Sequence, residues 1–464
     1  MLLKRIALPC LCAARAAACG AALAGSASPA PGQTPAPPQQ RSAAPRPDSR
    51  SDSQQRFAVY WQSTYTEQET ANFRSPYVGP NSLTPDSGRE TVDMTVYAGA
   101  RLWRGAELWI NPEMDQGFGL DNTTGVAGFT SAEAFKVGSN APYLRLQRAF
   151  VRETLDLGGP PQSLDGAPNV FASEVSANRL VLTIGKFSVV DLFDANDYAH
   201  DSRNDFLNWA VIDTGTFDYA ADAWGYSVGA AAEWYAGPWT LRAGAFDLSS
   251  VPNAPTLEPG FDEFQIVAEL ERRFAIGERA GKVLITGFDS RARMGLLGAA
   301  VDLAAQTGTP PDIAAVRCYR SRFGAAVSAE QQILDDLGVF LRVGKDQGNV
   351  ETYEFTDIDR TIAGGLSWKG MRWGRPADTL GLALVDNGIS ADFERYLNSG
   401  GLGIVVGDGR LPHPGPEEIL ETYYEASLLA RLHLTFDYQF VDNPAYNRDR
   451  GPASVLAVRA HVQF

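Results

Sequence analysis

Apolar and polar residues alternate with a period of two along most of the chain after Arg56. From Val92 to Trp103, every even position is apolar, and every odd position is polar, small or aromatic. The segments Leu432–Phe440 and Leu456–Phe464 repeat this pattern, and shorter versions occur between them. Because successive side chains of a strand point to opposite faces of its sheet, the pattern predicts β-strands with one wholly apolar face.

Such strands fit two architectures. A β-sandwich hides the apolar face in a core, whereas a transmembrane barrel turns it to lipid and keeps the polar face in a lumen. The polar faces carry Arg, Asp, Glu and Gln beside Gly, as a wet lumen requires, and no apolar run reaches the roughly 18 residues of a membrane helix. We therefore expect an all-β, closed antiparallel transmembrane barrel, with the soluble sandwich as the alternative.

The number of strands follows from the length of this region. Each membrane strand takes about 9–11 residues besides its turn or loop, so residues 56–464 accommodate 16 strands with long outer loops. Bacterial barrels have even strand counts, which leaves 14 or 18 strands as alternatives. Asp335–Gly338 is predicted to be a short periplasmic turn, and Asp156–Ser173 and Leu303–Asp312 are predicted to be longer loops.

Residues 1–24 are predicted to be a signal peptide. Lys4 and Arg5 precede an Ala/Leu/Cys-rich stretch, which ends in the small-x-small cleavage site Ala22-Leu23-Ala24. A short membrane anchor is a weaker interpretation, because Arg15 interrupts the apolar stretch. A lipobox ending at Cys19 is a third interpretation. The favoured prediction is export followed by cleavage near Ala24.

The remaining chain divides into two parts. Residues 25–55 are rich in Pro, Ala, Ser, Gln and Arg and are predicted to be a disordered tether, whereas residues 56–464 form the predicted barrel. After cleavage only Cys318 remains, so an intrachain disulfide is not possible. The net charge of −15 would become about −18 after cleavage. An acidic chain is a poor nucleic-acid binder, because phosphate binding needs clustered positive charge.

The short motifs of the chain do not indicate an enzyme. Gly225–Gly229 matches G-x-S-x-G, but Ser227 lies in an alternating run rather than a strand–turn–helix, and it is predicted to be a lumen-facing strand residue. The four histidines lack a metal-ligand or catalytic spacing, and the last two fall on polar strand faces: His200, His413, His433 and His461. Four residues that could gather calcium lack the EF-hand spacing and are predicted to be a polar loop: Asp191, Asp194, Asn196 and Asp197.

Several longer stretches occur in a fixed order: Phe73–Tyr77 and Gly79–Leu83, Asn111–Gly117, Gly185–Asn196 with Tyr198–Asp201, Gly407–Gly409, Glu421–Tyr424 and Gln439–Pro444. In sequence and order they resemble the carbohydrate-selective porin (OprB-type) family of Gram-negative outer membranes, over most of the chain after Arg56. The resemblance implies a 16-stranded barrel that passes mono- and small oligosaccharides down their gradients without energy coupling. It also implies a constriction made by loops folded into the lumen and lined by charged and aromatic residues.

Sugar chemistry selects the candidate pore-lining residues. Sugar hydroxyls donate and accept hydrogen bonds, so carboxylates, amides, arginine and lysine can all bind them, and aromatic rings can pack on the C–H face of a pyranose. The polar faces of two neighbouring strands supply Asp93, Arg101, Trp103, Glu107, Trp109 and Asn111. The segment after the strand Leu180–Ile184 adds Lys186, Asp191, Asp194, Arg203 and Asn208. Arg145, Arg148 and Arg152 are further candidates, although the alternation breaks there and leaves their faces open.

The predicted function is passive diffusion of carbohydrates across the outer membrane, without a cofactor or a metal ion. A general or cation-preferring porin is the first alternative, because net charge does not locate the carboxylates. A barrel enzyme or a soluble glycan-binding protein is less supported, because no spacing demands a nucleophile–base or carboxylate pair. The predicted partners are the permeating sugars, outer-membrane lipid and the barrel-assembly machinery, which recognises a final strand with a terminal aromatic residue, here Phe464. The sequence leaves monomer or trimer open.

Overall fold

The computed structural model describes residues 55–134 and 137–464. The predicted signal peptide and residues 25–54 of the predicted tether lie outside the described residues. In the described part of the chain, 16 strands form one closed antiparallel barrel, in which the first strand pairs with the last from Gln62–Gln463 to Thr70–Val455. The predicted fold class and strand number are confirmed.

The strands are β1 (Phe57–Thr70), β2 (Gly88–Trp103), β3 (Ala106–Gly117), β4 (Ser139–Asp156), β5 (Pro161–Leu164), β6 (Ser173–Ser176), β7 (Arg179–Phe187), β8 (Ser227–Ala236), β9 (Trp239–Asp247), β10 (Phe264–Ile276), β11 (Arg279–Met294), β12 (Cys318–Leu334), β13 (Leu337–Asp346), β14 (Arg360–Gly370), β15 (Arg375–Gly388), β16 (Glu417–Leu429), β17 (Leu432–Asp442) and β18 (Ala453–Gln463). All of them except β5 and β6 belong to the barrel, and these two form a separate hairpin.

Within the described residues, three α-helices lie in the connections: α1 (Trp209–Ile212), α2 (Leu297–Thr307) and α3 (Ala391–Asn398). The predicted loop Leu303–Asp312 is therefore helical in its first half, and α2 ends where Gly308 takes a left-handed conformation with φ of 69°. Glycine is favoured at that position because it has no Cβ. Among the described residues, no helix has the length and apolar character to cross a membrane.

Burial follows the predicted alternation. In β2, Asp93 is 1% exposed, whereas its neighbour Met94 is 41% exposed. In β18, Arg459 is fully buried, whereas Leu456 is 57% exposed. The apolar residues thus form the outer, lipid-facing surface and the polar residues point into the lumen, as the period-two pattern predicts.

The two ends of the barrel differ in their connections. At one end of the barrel, which we call the turn end, the described part of the chain has six hairpins that close with two to four residues: 104–105, 237–238, 277–278, 335–336, 371–374 and 430–431. The predicted turn Asp335–Gly338 falls on one of them, although its last two residues, Leu337 and Gly338, already belong to β13. The opposite end, which we call the loop end, carries the long connections. In outer-membrane barrels the short turns face the periplasm.

One connection at the turn end is long. Residues 157–178 join β4 to β7 and contain the hairpin of β5 and β6, and we call this segment the strap. The predicted loop Asp156–Ser173 falls on it, so the loop was placed correctly but its two short strands were not predicted.

Candidate functional site

A loop from the loop end fills much of the lumen. It joins β7 to β8 over residues 188–226, and we call it the inner loop. Every residue from Asp205 to Ala223 is buried. Phe206 packs edge-to-face against Tyr423 of β16 and Phe340 of β13, with ring centroids 4.9 Å and 5.8 Å away. The inner loop therefore has a packed apolar side inside a polar barrel.

Lumen-facing side chains of the barrel hold the backbone of the inner loop. Glu421 of β16 accepts a hydrogen bond from Leu207 N at 2.5 Å. Arg342 of β13 donates to the carbonyl oxygens of Val211 and Ala199, at 2.6 Å and 2.9 Å. Buried backbone groups need such partners, so these two charged side chains fix the path of the loop and leave the β1–β4 side of the barrel open.

An open cavity of about 3000 Å³ lies along that side and extends along β7, β8 and β9, where Thr183, Glu233 and Arg242 border it. It begins at the turn end, beside the strap, and ends against the inner loop and the loop between β3 and β4. Five of the predicted pore-lining residues border it: Arg101, Trp103, Glu107, Asp191 and Arg203. Arg101 and Glu107, which were selected from the polar faces of two neighbouring strands, are direct partners across the β2–β3 hairpin.

The three arginines whose faces were left open all point inward, because β4 contains a β-bulge. Asn111 pairs with Arg148 while the next residue of β3 pairs with Leu146, so Gln147 is the extra residue. A bulge places one additional residue on a strand and resets its alternation. Arg145, Arg148 and Arg152 consequently all contact groups inside the barrel.

Charged and aromatic side chains surround the inner end of the cavity. We call this set the inner cluster: Glu113, Glu133, Arg148, Asp191, Arg203, Trp224 and Tyr226. Arg148 forms a two-point ion pair with Asp191, at 2.6 Å and 2.7 Å, and its guanidinium lies 4.9 Å from the ring centroid of Tyr226. Both partners of the ion pair keep some solvent exposure.

Arg203 is the counter-charge of several carboxylates. Its guanidinium lies 2.9 Å from Glu133 and 3.5 Å from both Asp93 and Glu113. Burial raises the pKa of Glu133 above its usual value, and the attraction of Arg203 opposes that rise. One guanidinium thus faces three carboxylates in this part of the lumen.

Contacts with Arg145 and Tyr143 hold the Trp224 side chain in position. The Arg145 guanidinium lies 3.2 Å from its ring centroid, and the Trp224 indole N–H donates to the Tyr143 hydroxyl at 3.0 Å. Asp222 accepts from Lys186 at 2.9 Å, and it lies 3.5 Å from Arg145. Lys186, a predicted lining residue, therefore supports the inner loop rather than bordering the cavity.

Five further predicted lining residues do not border the cavity. Asp194 and Asn208 are fully buried: Asp194 accepts from Thr214 N, and Asn208 caps α1 and donates to Gly128 O. Asp93, Trp109 and Asn111 face the lumen but are covered. Trp103 lies at the turn-end rim and is 59% exposed. Alternation identifies the inward face of a strand, but it does not show which inward residues the loops cover.

Four residues of the inner cluster border the cavity but are not among the predicted lining residues: Glu113, Glu133, Trp224 and Tyr226. Glu113 continues the polar face that includes Asn111, so it carried a usable signal, whereas the alternation around Ser227 would place Tyr226 on the opposite, apolar face. Glu133 and Trp224 lie in connections whose path depends on tertiary contacts. No local pattern marks them.

The remaining sequence motifs have structural partners. Ser227 begins β8 and donates to the Asp247 carbonyl at 2.6 Å, so it is a strand residue, as predicted. The four residues that were considered as calcium ligands have separate partners. Asp191 forms an ion pair with Arg148, and Asp197 forms one with Lys282. Across residues 55–134 and 137–464, no group of three or more His, Cys, Asp or Glu could hold a metal ion.

Similarity to known proteins is found in both the sequence and the structure. The sequence matches the family described as "Carbohydrate-selective porin, OprB family" over residues 81–464. The structure is similar to OprB of Pseudomonas putida at high pH, with a TM-score of 0.67 and 14% identity over 88% of this chain and 94% of that chain. The outer membrane channel DcaP of Acinetobacter baumannii matches with a TM-score of 0.48 and 12% identity over 88% of this chain and 97% of that chain. A comparison with curated proteins finds no match.

Proposed function

The chain belongs to the carbohydrate-selective porin family of the OprB type, and we propose that its inner cluster is the constriction at which a permeating sugar is recognised. The protein is an outer-membrane porin for passive diffusion of carbohydrates. The proposed route is the cavity bordered by β1–β4 and β7–β9, and the proposed contact residues are those of the inner cluster. Arg101 and Glu107 would line the route on the turn-end side of the inner cluster.

The arrangement around Arg148 carries this proposal. Arg148 and Asp191 offer charged donors and acceptors less than 3 Å apart, and Tyr226 and Trp224 add rings on the same stretch of wall. A sugar hydroxyl can accept from the guanidinium and donate to the carboxylate, while a pyranose C–H face can pack on a ring. A simple ion has only one sign of charge, so it gains less from a paired donor and acceptor.

A cation-preferring porin is the second candidate, and the surroundings of Arg203 favour it. Three carboxylates face this one guanidinium. If Asp93, Glu113 and Glu133 are all ionised, the inner end of the cavity carries excess negative charge and attracts cations. The two candidates differ in what changes the current, since a sugar pore is blocked by neutral sugars and a cation pore responds to ion charge.

Single-channel recording with sugars distinguishes them. The protein lacking residues 1–24 would be reconstituted in planar bilayers, and glucose, a disaccharide and a trisaccharide would be added in turn under a salt gradient. We expect neutral sugars to reduce the ionic current in a concentration-dependent way, with a reversal potential near zero. A strongly cation-selective current that neutral sugars leave unchanged would overturn the sugar constriction.

We also propose a route to the membrane. Residues 1–24 would direct export, and β18 with Phe464 would be the segment that the barrel-assembly machinery recognises. Loss of processing in a variant with Lys4→Glu and Arg5→Glu would support the first step, because signal peptides need a positive start. Outer-membrane protein of unchanged amount in that variant would contradict it.

A further inference from the structure

The strap contains more chain than its connection needs. At its base, Leu157 N donates to Asn178 O and Asn178 N donates to Gly158 O, both at 3.0 Å. These bonds continue the β4–β7 ladder, which otherwise ends at Asp156 and Arg179. A two-residue turn could therefore join Leu157 to Asn178, as at the other hairpins of the turn end. Most of the residues between Leu157 and Asn178 are therefore not needed to connect the two strands.

The tip of the strap is a preformed tight turn. Ala167 and Val170 exchange both backbone hydrogen bonds, at 3.0 Å and 2.9 Å. Pro168 and Asn169 form the corner, and Asn169 has φ of 62°. Proline followed by a residue that tolerates positive φ is typical of a type II turn. The tip therefore has a defined shape of its own.

Polar side chains of the barrel wall hold this tip inside the lumen. Arg152 donates to the Asn169 carbonyl at 2.7 Å, and Arg101 donates to the Ala172 carbonyl at 2.7 Å. The Asn111 side-chain amide donates to the Asn169 side-chain oxygen at 2.8 Å. Three adjacent strands, β2, β3 and β4, each contribute one of these donors. The strap is thus seated on the wall rather than extended into solvent.

Phe171 is the apolar anchor of the tip. It is fully buried, with its ring centroid 5.0 Å from that of Trp109 and the Arg101 guanidinium 4.9 Å from its ring. Trp109 and Asn111 are the fourth and sixth residues of β3 from the turn end. At about 3.3 Å per residue, the tip reaches roughly 10–17 Å along the strand into the barrel.

The tip also extends across the wall to β1. A Cβ at Gly166 would lie 2.7 Å from the Tyr60 hydroxyl oxygen, so the backbone passes directly against that side chain. Strap residues between Pro161 and Ser176 border the cavity on the turn-end side of the inner cluster. A solute that has passed Arg148 and Asp191 must travel alongside them to leave the barrel.

We propose that the strap is a second constriction of the pore, on the periplasmic side, which limits the size of the saccharide that can leave the lumen. Arg101, Asn111 and Arg152 are its positioning residues, and Phe171 is its anchor. The inference rests on the proposed function, because it concerns the same solutes on the same route. It differs in location, since it requires a filter at the turn end in addition to the inner cluster.

Replacing residues 158–177 with Asn-Gly tests the proposal. This dipeptide favours the two-residue hairpin turn that the base of the strap allows. Single-channel conductance should rise by a factor of about two or more, because passage depends on pore diameter. In liposome swelling, tri- and tetrasaccharides should gain more flux than glucose. Conductance and size dependence equal to wild type, in a heat-modifiable folded protein, would overturn the second constriction.

A variant of unchanged length keeps the test decisive if the shortened protein does not fold. Arg101→Ala with Arg152→Ala removes two of the three donors that seat the tip, and we expect higher conductance and weaker size discrimination. Arg104→Ala is the matched control, because it removes a positive charge at the same rim without a hydrogen bond to the tip. The proposal fails if the double variant equals Arg104→Ala in both measurements.

These outcomes are separable from failure of the proposed function. A wild-type protein that conducts ions but shows neither sugar block nor sugar flux would refute the sugar pore. A wild-type protein that passes sugars, with size dependence unaffected by the strap variants, would refute only the second constriction.

Discussion

The Arg148 guanidinium binds both oxygens of Asp191, at 2.7 Å and 2.6 Å, and this ion pair joins the barrel wall to the inner loop. Two parallel charge-assisted hydrogen bonds fix the relative orientation of the two side chains. The pair lies at the edge of the cavity, and its side chains are 12% and 24% exposed. Wall and loop thus contribute opposite charges to one point on the solute route.

Neutralising Arg148 and neutralising Asp191 should shift the ion selectivity of the pore in opposite directions. Arg148→Gln leaves the Asp191 carboxylate uncompensated and should shift the reversal potential toward that of a cation-preferring pore. Asp191→Asn should shift it toward an anion-preferring pore, and the double variant should return close to wild type. Bilayer recordings under a salt gradient measure all three.

The control for this prediction is Arg272→Gln, on the exposed face of β10. It removes the same charge without changing the lumen, so selectivity should stay as in wild type. If Arg148→Gln and Asp191→Asn moved the reversal potential in the same direction, the pair would not act on permeating ions as proposed.

Glu421 should be needed for the position of the inner loop. Glu421→Ala leaves the buried N–H of Leu207 without its carboxylate acceptor, and an unsatisfied buried donor costs roughly 1–3 kcal/mol. We expect faster amide hydrogen exchange in residues 205–212 and a noisier single-channel current. Glu418→Ala is the matched control on the same strand, because Glu418 is exposed at the loop end. Equal amide exchange in the two variants would show that Glu421 does not hold the inner loop in position.

Position 96 should accept a larger apolar side chain but not a charged one. It lies in β2 on the lipid-facing surface, so Val96→Arg should destabilise the barrel by roughly 2–4 kcal/mol if it is near the bilayer midplane. Val96→Leu, at the same position, should fold like wild type. Folding into lipid vesicles, followed by the heat-modifiable band on gels, compares the two. Normal folding of Val96→Arg would show that the outer face is misassigned.

The neighbouring Thr95 shows how far the sequence pattern extends. Alternation correctly predicts that Thr95 faces the lumen and Val96 the lipid. From the face alone, arginine at Thr95 would be tolerated, but Thr95 is fully buried and donates to Glu113. A wet lumen face is therefore not uniformly open, and an arginine there would displace a hydrogen-bonded pair.

Other differences have the same origin in tertiary contacts. The bulge at Gln147 lets Arg145 and Arg148 share the lumen face, although their odd spacing in a regular strand would place them on opposite faces. Asp194 and Asn208 were selected as polar residues of a loop, yet the barrel wall covers both. Local periodicity depends on a strand's own backbone, whereas the path of a 39-residue loop from Ser188 to Tyr226 depends on distant partners such as Glu421.

Phe464 should contribute to both closure and assembly of the barrel. Its backbone N–H and carbonyl exchange hydrogen bonds with Trp61 of β1, at 2.8 Å and 3.0 Å, and its ring stacks on Trp61 with centroids 4.7 Å apart. Deleting Phe464 removes the stack and shortens the β1–β18 ladder at its turn-end edge. Phe464→Ala keeps the backbone bonds and removes only the ring, and Phe464→Tyr keeps both.

The yield of folded barrel should therefore fall in the order wild type, Phe464→Tyr, Phe464→Ala and the deletion. The heat-modifiable fraction in purified outer membranes measures this yield in cells, and refolding into lipid vesicles measures closure without the assembly machinery. If the ring acts as an assembly signal, Phe464→Ala should lose more yield in cells than in vesicles, because stacking alone is worth about 0.5–1.5 kcal/mol. Equal losses in the two systems would assign Phe464 to barrel closure alone and contradict its role as a signal.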